Sequence, residues 1–299
     1  MLVFIEVFEL FVRSLLFVPG NQPNMLDKAL TLNPDVYVPD MEDSIPINEK
    51  ENARGIITSF LYKMASTNTL VIPRINSLDT GFTQKDMDSV IGVHIFGISV
   101  GKIECSEDIK QVCNMIGEVE NKNELQSGSI KLLPWIETAK AVVNAYEICV
   151  ASPRIIGVGF GAEDFTNDMG IDRTEDSSEI AYARSVVSVA ARAADVLAID
   201  TPYFALGNLD GLSRDVKQAK KCGFNGKFAI HPEQIPVINE GFSPSRNEVD
   251  KAKRIIDAFE KAELHGRGSI SLDGMVVDIP VVKRARNILK LATKLNEEY

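Results

Sequence analysis

The feature that most restricts the fold of this chain is a regular alternation between short apolar runs and longer amphipathic segments. Eight runs can be counted, at residues 13–20, 35–43, 69–77, 94–104, 130–137, 154–164, 196–200 and 226–232. Between them, apolar residues recur at helical spacing, as in Ala141, Ala145, Ile148 and Cys149, or Ile180, Ala183, Val187, Ala190 and Ala191. A nearly continuous apolar run suits a strand buried on both faces, and helices between successive strands imply parallel pairing. Eight such repeats fit a closed (β/α)8 TIM barrel, an α/β fold, better than an open doubly wound sheet, which more often has five or six strands. No Pro/Gly/Ser-rich linker divides the chain, so the expectation is one domain over residues 1–299. A C-terminal helical and hairpin extension over about 245–299 completes it, with a helix starting near Ser245 and a turn at Asp273-Gly274.

Composition narrows the function classes. With 299 residues, 45% hydrophobic and 25% charged, the chain is ordinary globular protein rather than disordered, collagenous or coiled-coil. Its 42 acidic and 32 basic side chains leave a formal charge of -10, which argues against a nucleic-acid partner but says nothing against a small anion. Cys105, Cys113, Cys149 and Cys222 form no C-x-x-C pair and no paired spacing with His94, His231 or His265, which argues against a zinc cage or disulfide framework. The apolar opening mimics a signal peptide, but Glu6 and Glu9 interrupt it and no basic residue precedes Arg13. It reads as a short leader running into a strand of a cytoplasmic protein with no membrane span.

In parallel β/α folds the reactive groups stand at the carboxyl ends of strands, so what terminates each run is informative. The ends supply Asp40, Glu42 and Asp43, then Arg74 and Asn76, Lys102 and Glu104, Glu137, Glu163 and Asp164, Asp200, and His231. Converging carboxylates without a Cys/His pattern suit a hard cation, and Mg2+ asks for only one or two of them. Glu137 and Asp164, on adjacent strands, meet that demand; the alternative is that such carboxylates cap the helices that follow. Arg74 either grips a carboxylate of a ligand or pairs with the Asp40, Glu42 and Asp43 cluster. Arg13 begins its run and so falls at the opposite end of a barrel. His231 reads more readily as a structural imidazole than as a base, Trp135 as core, and Gly157, Gly159 and Gly161 as close-packing positions rather than a dinucleotide fingerprint.

These residues sit in blocks whose order and spacing are specific: RSLLFVPGN, DMED, RIN, IETA, GAEDF, AIDTPY, GFNGKFAIHPEQI and FSPS. Together they resemble the citrate lyase beta-subunit family of the HpcH/HpaI aldolase superfamily, similar in type to citramalyl-CoA and malyl-CoA lyases, over nearly the whole chain. The resemblance implies a (β/α)8 fold, a homotrimer or dimer of trimers (hexamer), and Mg2+ held by Glu137 and Asp164. It implies that Arg74 binds the substrate near the reacting carbon, that Arg13 and Lys102 are further anion-binding positions, and that Asp278 in VVDIP, carried from a neighbouring subunit, is the acid/base. Gly101 replaces a common proline and Pro39 a usual aliphatic residue, differences that bear on substrate choice.

The activity so implied is cleavage of a 3-hydroxyacyl-CoA thioester to acetyl-CoA and a 2-oxo acid. Mg2+ would act as Lewis acid, Arg74 would steady developing negative charge, and Asp278 would protonate the enolate carbon. Alternatives within the resemblance are a citrate lyase subunit acting on a carrier-bound citryl group, and a thioesterase or malate-synthase-like activity. Outside it stands a non-catalytic acyl-CoA-binding barrel.

Overall fold

The computed structural model describes residues 10–67 and 69–295. Most of the expected leader lies outside these residues. All eight expected strands form: β1 (Ser14–Pro19), β2 (Val36–Asp40), the third run as two pieces, β3 (Leu70–Val71) and β4 (Arg74–Ile75), then β5 (Gly97–Val100), β6 (Lys131–Ile136), β7 (Gly157–Phe160), β8 (Leu197–Asp200) and β9 (Gly226–Ala229). The third run divides around Pro73, which has no N–H to donate to a ladder. All pairings are parallel, and β1 pairs with both β2 and β9, so the sheet closes into an eight-stranded barrel wrapped by helices.

Inside the barrel, Leu15, Val36, Val38, Ile72, Leu133, Ile156 and Ile199 pack around Trp135 and Phe228. The glycines of β7 serve that packing. A Cβ on Gly157 would lie 2.9 Å from the Leu197 side chain, and one on Gly159 would lie 3.0 Å from the Phe228 ring. Among the described residues, no helix is long and apolar enough to cross a membrane.

The described residues form two compact units, one ending at Ile238 and one beginning at Asn239. The second contains the helix Arg246–Glu263, the hairpin β10 (Ile270–Leu272) and β11 (Met275–Val277), and the helix Ile279–Lys294. Ser245 and Glu248 form a reciprocal capping box at the first helix, as the S-x-x-E spacing allows. Asp273 and Gly274 both take positive φ, the geometry a two-residue hairpin turn requires. Ala252, Ile255, Phe259, Val277, Val282 and Ala285 give this unit its own core, which a linker-based reading of the sequence could not reveal.

Candidate active site

Because every barrel strand points the same way, the residues that end them share one rim. A cavity of about 500 Å³ opens there, with Asp40, Asp43, Arg74, Glu137, Asp164 and Thr201 among its polar lining. Phe17 and Trp135 line it from below, stacked with Phe228 at ring separations of 5.2 and 4.2 Å. Trp135 is thus both core and cavity floor. Its indole N–H donates to Ser99 Oγ at 2.8 Å, which leaves the ring face to the cavity.

Arg74 crosses this floor, its guanidinium carbon 4.6 Å from the centre of the Phe17 ring. Nε and Nη2 donate to the two oxygens of Asp40, each at 2.7 Å. Nη1 donates to Asp43 at 2.9 Å and lies 3.2 Å from Glu42. The ion-pair alternative for Arg74 is therefore what this structure holds. The two ends of the group differ, since the Asp40 side chain is 2% exposed and that of Asp43 is 58% exposed. Burial pushes the Asp40 carboxyl up, but the charge and hydrogen bonds of Arg74 outweigh it and hold the group below its ordinary value. The DMED segment is shaped from outside the cavity: Lys50 Nζ donates to the carbonyls of Met41 and Glu42, and Asn76 Nδ2 to that of Met41.

Glu137 directly follows β6 and is buried. Burial, then the neighbouring charge of Asp164, pushes its carboxyl up to about 7. Asp164 stands in the first turn of the helix Ala162–Met169, exposed, and is itself raised, by desolvation and then by Asp43. Two glycines make room for Glu137: a Cβ at Gly161 would lie 2.6 Å from its Oε2, and one at Gly101 would lie 2.9 Å from Oε1 and equally close to Glu42 Oε1. Lys102 takes the left-handed conformation, φ 54°, and its backbone N–H donates to Glu137 Oε1 at 2.5 Å.

Glu42 is the residue that sequence reasoning undervalued. It is buried, its Oε1 has no hydrogen-bond partner, and burial, only partly offset by Arg74, pushes it up to about 8. The carboxyl groups of Asp40, Glu42, Asp43, Glu137 and Asp164 outnumber the cations beside them, Arg74, Lys102 and Lys50. A divalent cation relieves such an excess, and an orphaned buried oxygen is what a hydrated ion satisfies. Among the described residues no three Asp, Glu, His or Cys side chains converge as a closed cage. Mg2+ asks for no such cage, since it keeps several waters and takes only one or two carboxylates.

The remaining expectations separate. The Lys102 side chain is exposed, and although desolvation pulls its ammonium down, the surrounding acids, Glu42 first, raise it overall. Glu163 pairs with Arg173 at 2.9 Å, and Asp200 is consumed by Arg184 and Lys227, so neither faces a ligand unpartnered. His231 is partly exposed and lies 3.8 Å from Glu233. Arg13 stands apart from these residues. It precedes β1, whose six residues span about 20 Å at ~3.3 Å each, so it stands at the end of the barrel away from the carboxylates. There it makes a two-point ion pair with Asp35, at 3.0 Å to each oxygen, and the geometry gives no support to a part in substrate binding. Asp278 belongs to the second unit, where its carboxylate accepts from the Val281 N–H at 3.2 Å and caps the last helix.

Comparison with known proteins bears on this arrangement. The sequence profile of the HpcH/HpaI aldolase/citrate lyase family matches residues 13–232. The citrate lyase subunit beta of Leuconostoc mesenteroides subsp. cremoris is 36% identical over 280 residues, covering 94% of this chain and 93% of that protein. The mitochondrial citramalyl-CoA lyase of Rattus norvegicus is 32% identical over 296 residues, covering 96% and 87%. A solved structure of CitE from Mycobacterium tuberculosis, in complex with magnesium, acetoacetate and coenzyme A, superposes with a TM-score of 0.79 at 25% identity, covering 95% of this chain and 98% of that one.

Proposed function

The chain belongs to the HpcH/HpaI aldolase/citrate lyase family, and from that premise we propose a Mg2+-dependent carbon-carbon lyase that cleaves a 3-hydroxyacyl-CoA of the citramalyl-CoA or malyl-CoA type to acetyl-CoA and a 2-oxo acid. The observation that carries this reading is the pair of raised carboxyl groups, Glu137 and Asp164, beside Arg74 in one cavity. Glu137 and Asp164 would hold Mg2+, which when bound supplies Lewis-acid polarisation of the oxygen that becomes the 2-oxo carbonyl. Arg74 keeps its Nε and Nη2 on buried Asp40 and turns Nη1 from exposed Asp43 to a substrate oxygen, steadying negative charge as the bond breaks. Lys102 adds a second positive group for the thioester's anionic parts. The substrate hydroxyl gives up its proton to solvent as it becomes the carbonyl, the electron pair of the broken carbon-carbon bond passes to the acetyl-CoA fragment as an enolate, and Asp278 of a neighbouring copy protonates its carbon and is reprotonated from solvent. That last role requires an oligomer, a homotrimer or hexamer. The four unpaired thiols support the cytoplasm as its location.

Product analysis tests the reading. Purified protein with Mg2+ should convert citramalyl-CoA to acetyl-CoA and pyruvate, or malyl-CoA to acetyl-CoA and glyoxylate, and EDTA should stop it. Free CoA with intact citramalate or malate would instead identify a thioesterase. Turnover only of a carrier-bound citryl group would identify a citrate lyase subunit, and tight binding without turnover a binding protein.

Asp278→Asn separates two roles, because Asn caps a helix as well as Asp does. The variant should keep its melting temperature and its Mg2+ affinity while turnover falls by about 10²-fold or more. An unchanged rate would leave Asp278 as a cap only.

The pH dependence has a definite sign. Glu42 and Glu137 are raised above their unfolded value of 4.5, to about 8 and about 7, so the metal-free protein holds more protons than the unfolded chain in that interval. Their contribution to stability is complete below pH 4.5 and is lost as pH rises through 7 to 8. Mg2+ affinity runs the other way, because binding displaces a proton from Glu137. Calorimetric titrations should show affinity rising about ninefold from pH 5 to 6 and about fivefold from pH 6 to 7 for one displaced proton, and levelling above pH 8; an affinity independent of pH would contradict it.

A further inference from the structure

We propose that Thr201 is a positioning residue for the metal site, acting from the end of β8 as the cap of the helix that carries Asp164. This rests on the assignment of Glu137 and Asp164 to Mg2+.

The helix Ala162–Met169 follows β7 directly, with Gly161 at its N-cap in extended conformation. That position ordinarily carries a Ser, Thr, Asp or Asn whose side-chain oxygen accepts one of the helix's unpaired N–H groups. Here such a side chain is excluded, since any Cβ at 161 would lie 2.6 Å from Glu137 Oε2 and 2.7 Å from Glu137 Cβ. Housing Glu137 therefore removes the local cap at the start of the helix that presents Asp164. A side-chain cap at 161 would have served the N–H of Glu163 or Asp164; the next strand instead secures the turn one residue earlier, where Thr201, 1% exposed, accepts the N–H of buried Ala162 at 3.1 Å through Oγ1.

Thr201 is itself firmly placed. The preceding Asp200 is fully buried and held by Arg184 at 3.0 and 2.9 Å and by Lys227 at 2.5 Å. The bond from Thr201 thus ties β8 to the first turn of the helix two residues ahead of Asp164. Without that oxygen, the Ala162 N–H is a buried donor lacking its partner, and the turn must shift or open to satisfy it. A shift there moves Asp164 relative to Glu137, which the barrel strand keeps fixed.

The test is Mg2+ titration calorimetry at pH 8 on the full chain, well below the melting temperatures, with Glu137→Gln as the reference for loss of the site. Thr201→Val should bind Mg2+ about 10- to 100-fold more weakly than the parent, Thr201→Ala should behave alike should the valine variant not fold, and Thr201→Ser, which keeps the oxygen, should restore the parent affinity. A merely packing role would predict the reverse order, with valine, nearly isosteric, better than serine. Parent-like affinity in Thr201→Val or Thr201→Ala, with Glu137→Gln unable to bind, would overturn the positioning role and leave the metal assignment standing. Absence of Mg2+ binding by the parent, or parent-like binding by Glu137→Gln, would overturn the assignment and the proposal with it.

Discussion

Glu137→Gln is expected to abolish Mg2+ binding and to lower turnover by about 10³-fold or more, while the metal-free barrel melts no lower than the parent. The kinetic figure follows from the several kcal/mol that a Lewis acid contributes to charge stabilisation, at about 1.4 kcal/mol per factor of ten. The stability expectation follows from the geometry. Glu137 is buried beside Asp164 and close to Glu42, and both burial and Asp164 work against its charged form. A neutral amide of the same shape removes a repulsion the fold tolerates without benefit. It can also accept the Lys102 N–H, as Glu137 does now. The opposed outcome, less active yet not less stable, marks a residue retained for chemistry, since removing a structural carboxylate from its partner destabilises. Asp164→Asn should repeat the kinetic loss with a smaller change in melting temperature, because Asp164 is exposed. Full activity of either variant at ordinary Mg2+ concentrations would remove that residue from the metal site.

How much of this was legible beforehand depended on whether a property is local in sequence. Strand existence is local: each apolar run carries its own burial signal, so all eight appear where expected, and the division around Pro73 follows from one missing N–H. The rim is nearly as accessible, because a strand's polarity decides which of its ends faces the cavity. Glu137, Asp164, Arg74 and Lys102 could be placed there, and Arg13 at the other end, before any coordinate. The resemblance nonetheless made Arg13 an anion-binding position, and its ion pair with Asp35 gives that no support. Pairing across strands was not accessible. A carboxylate ending a strand looks alike in sequence whether it faces Arg74, as Asp40 does, lies buried with an orphaned oxygen, as Glu42 does, or is consumed by two cations, as Asp200 is. Thr201 is more hidden still, since its role follows from a side chain that Gly161, at the helix start beyond β7, cannot carry.

The charge cluster at Asp200 gives the largest stability effect. Lys227 and Arg184 are fully buried with Asp200, and Asp215 joins them, Lys227 Nζ lying 2.5 Å from one oxygen of each aspartate and Arg184 Nη2 2.8 Å from Asp215. Two cations meet two carboxylates, so the cluster is neutral and joins β8 and β9 to the helices Ala181–Ala193 and Leu209–Cys222. Lys227→Met keeps the volume but leaves two buried carboxylates sharing one guanidinium. An unpaired buried charge costs about 3–5 kcal/mol, which for a unit of this size lowers the melting temperature by roughly 10 °C. The same variant tests the acid limb of stability. Burial works to raise Asp215, but Lys227 and then Arg184 hold it down at about 2. A lowered carboxylate contributes stability above its unfolded value of 3.8, and that contribution is lost as pH falls through about 2. Without Lys227 the Asp215 carboxyl loses the main cause of its lowering, so the variant has less of this contribution to lose on acidification, and the gap in melting temperature between parent and variant should narrow from pH 6 to pH 3. Lys227→Met combined with Asp215→Asn, which restores charge balance, should recover part of the deficit. A single variant that melts within a degree or two of the parent, with an unchanged acid limb, would show that the cluster is solvated or relaxed rather than paired as described.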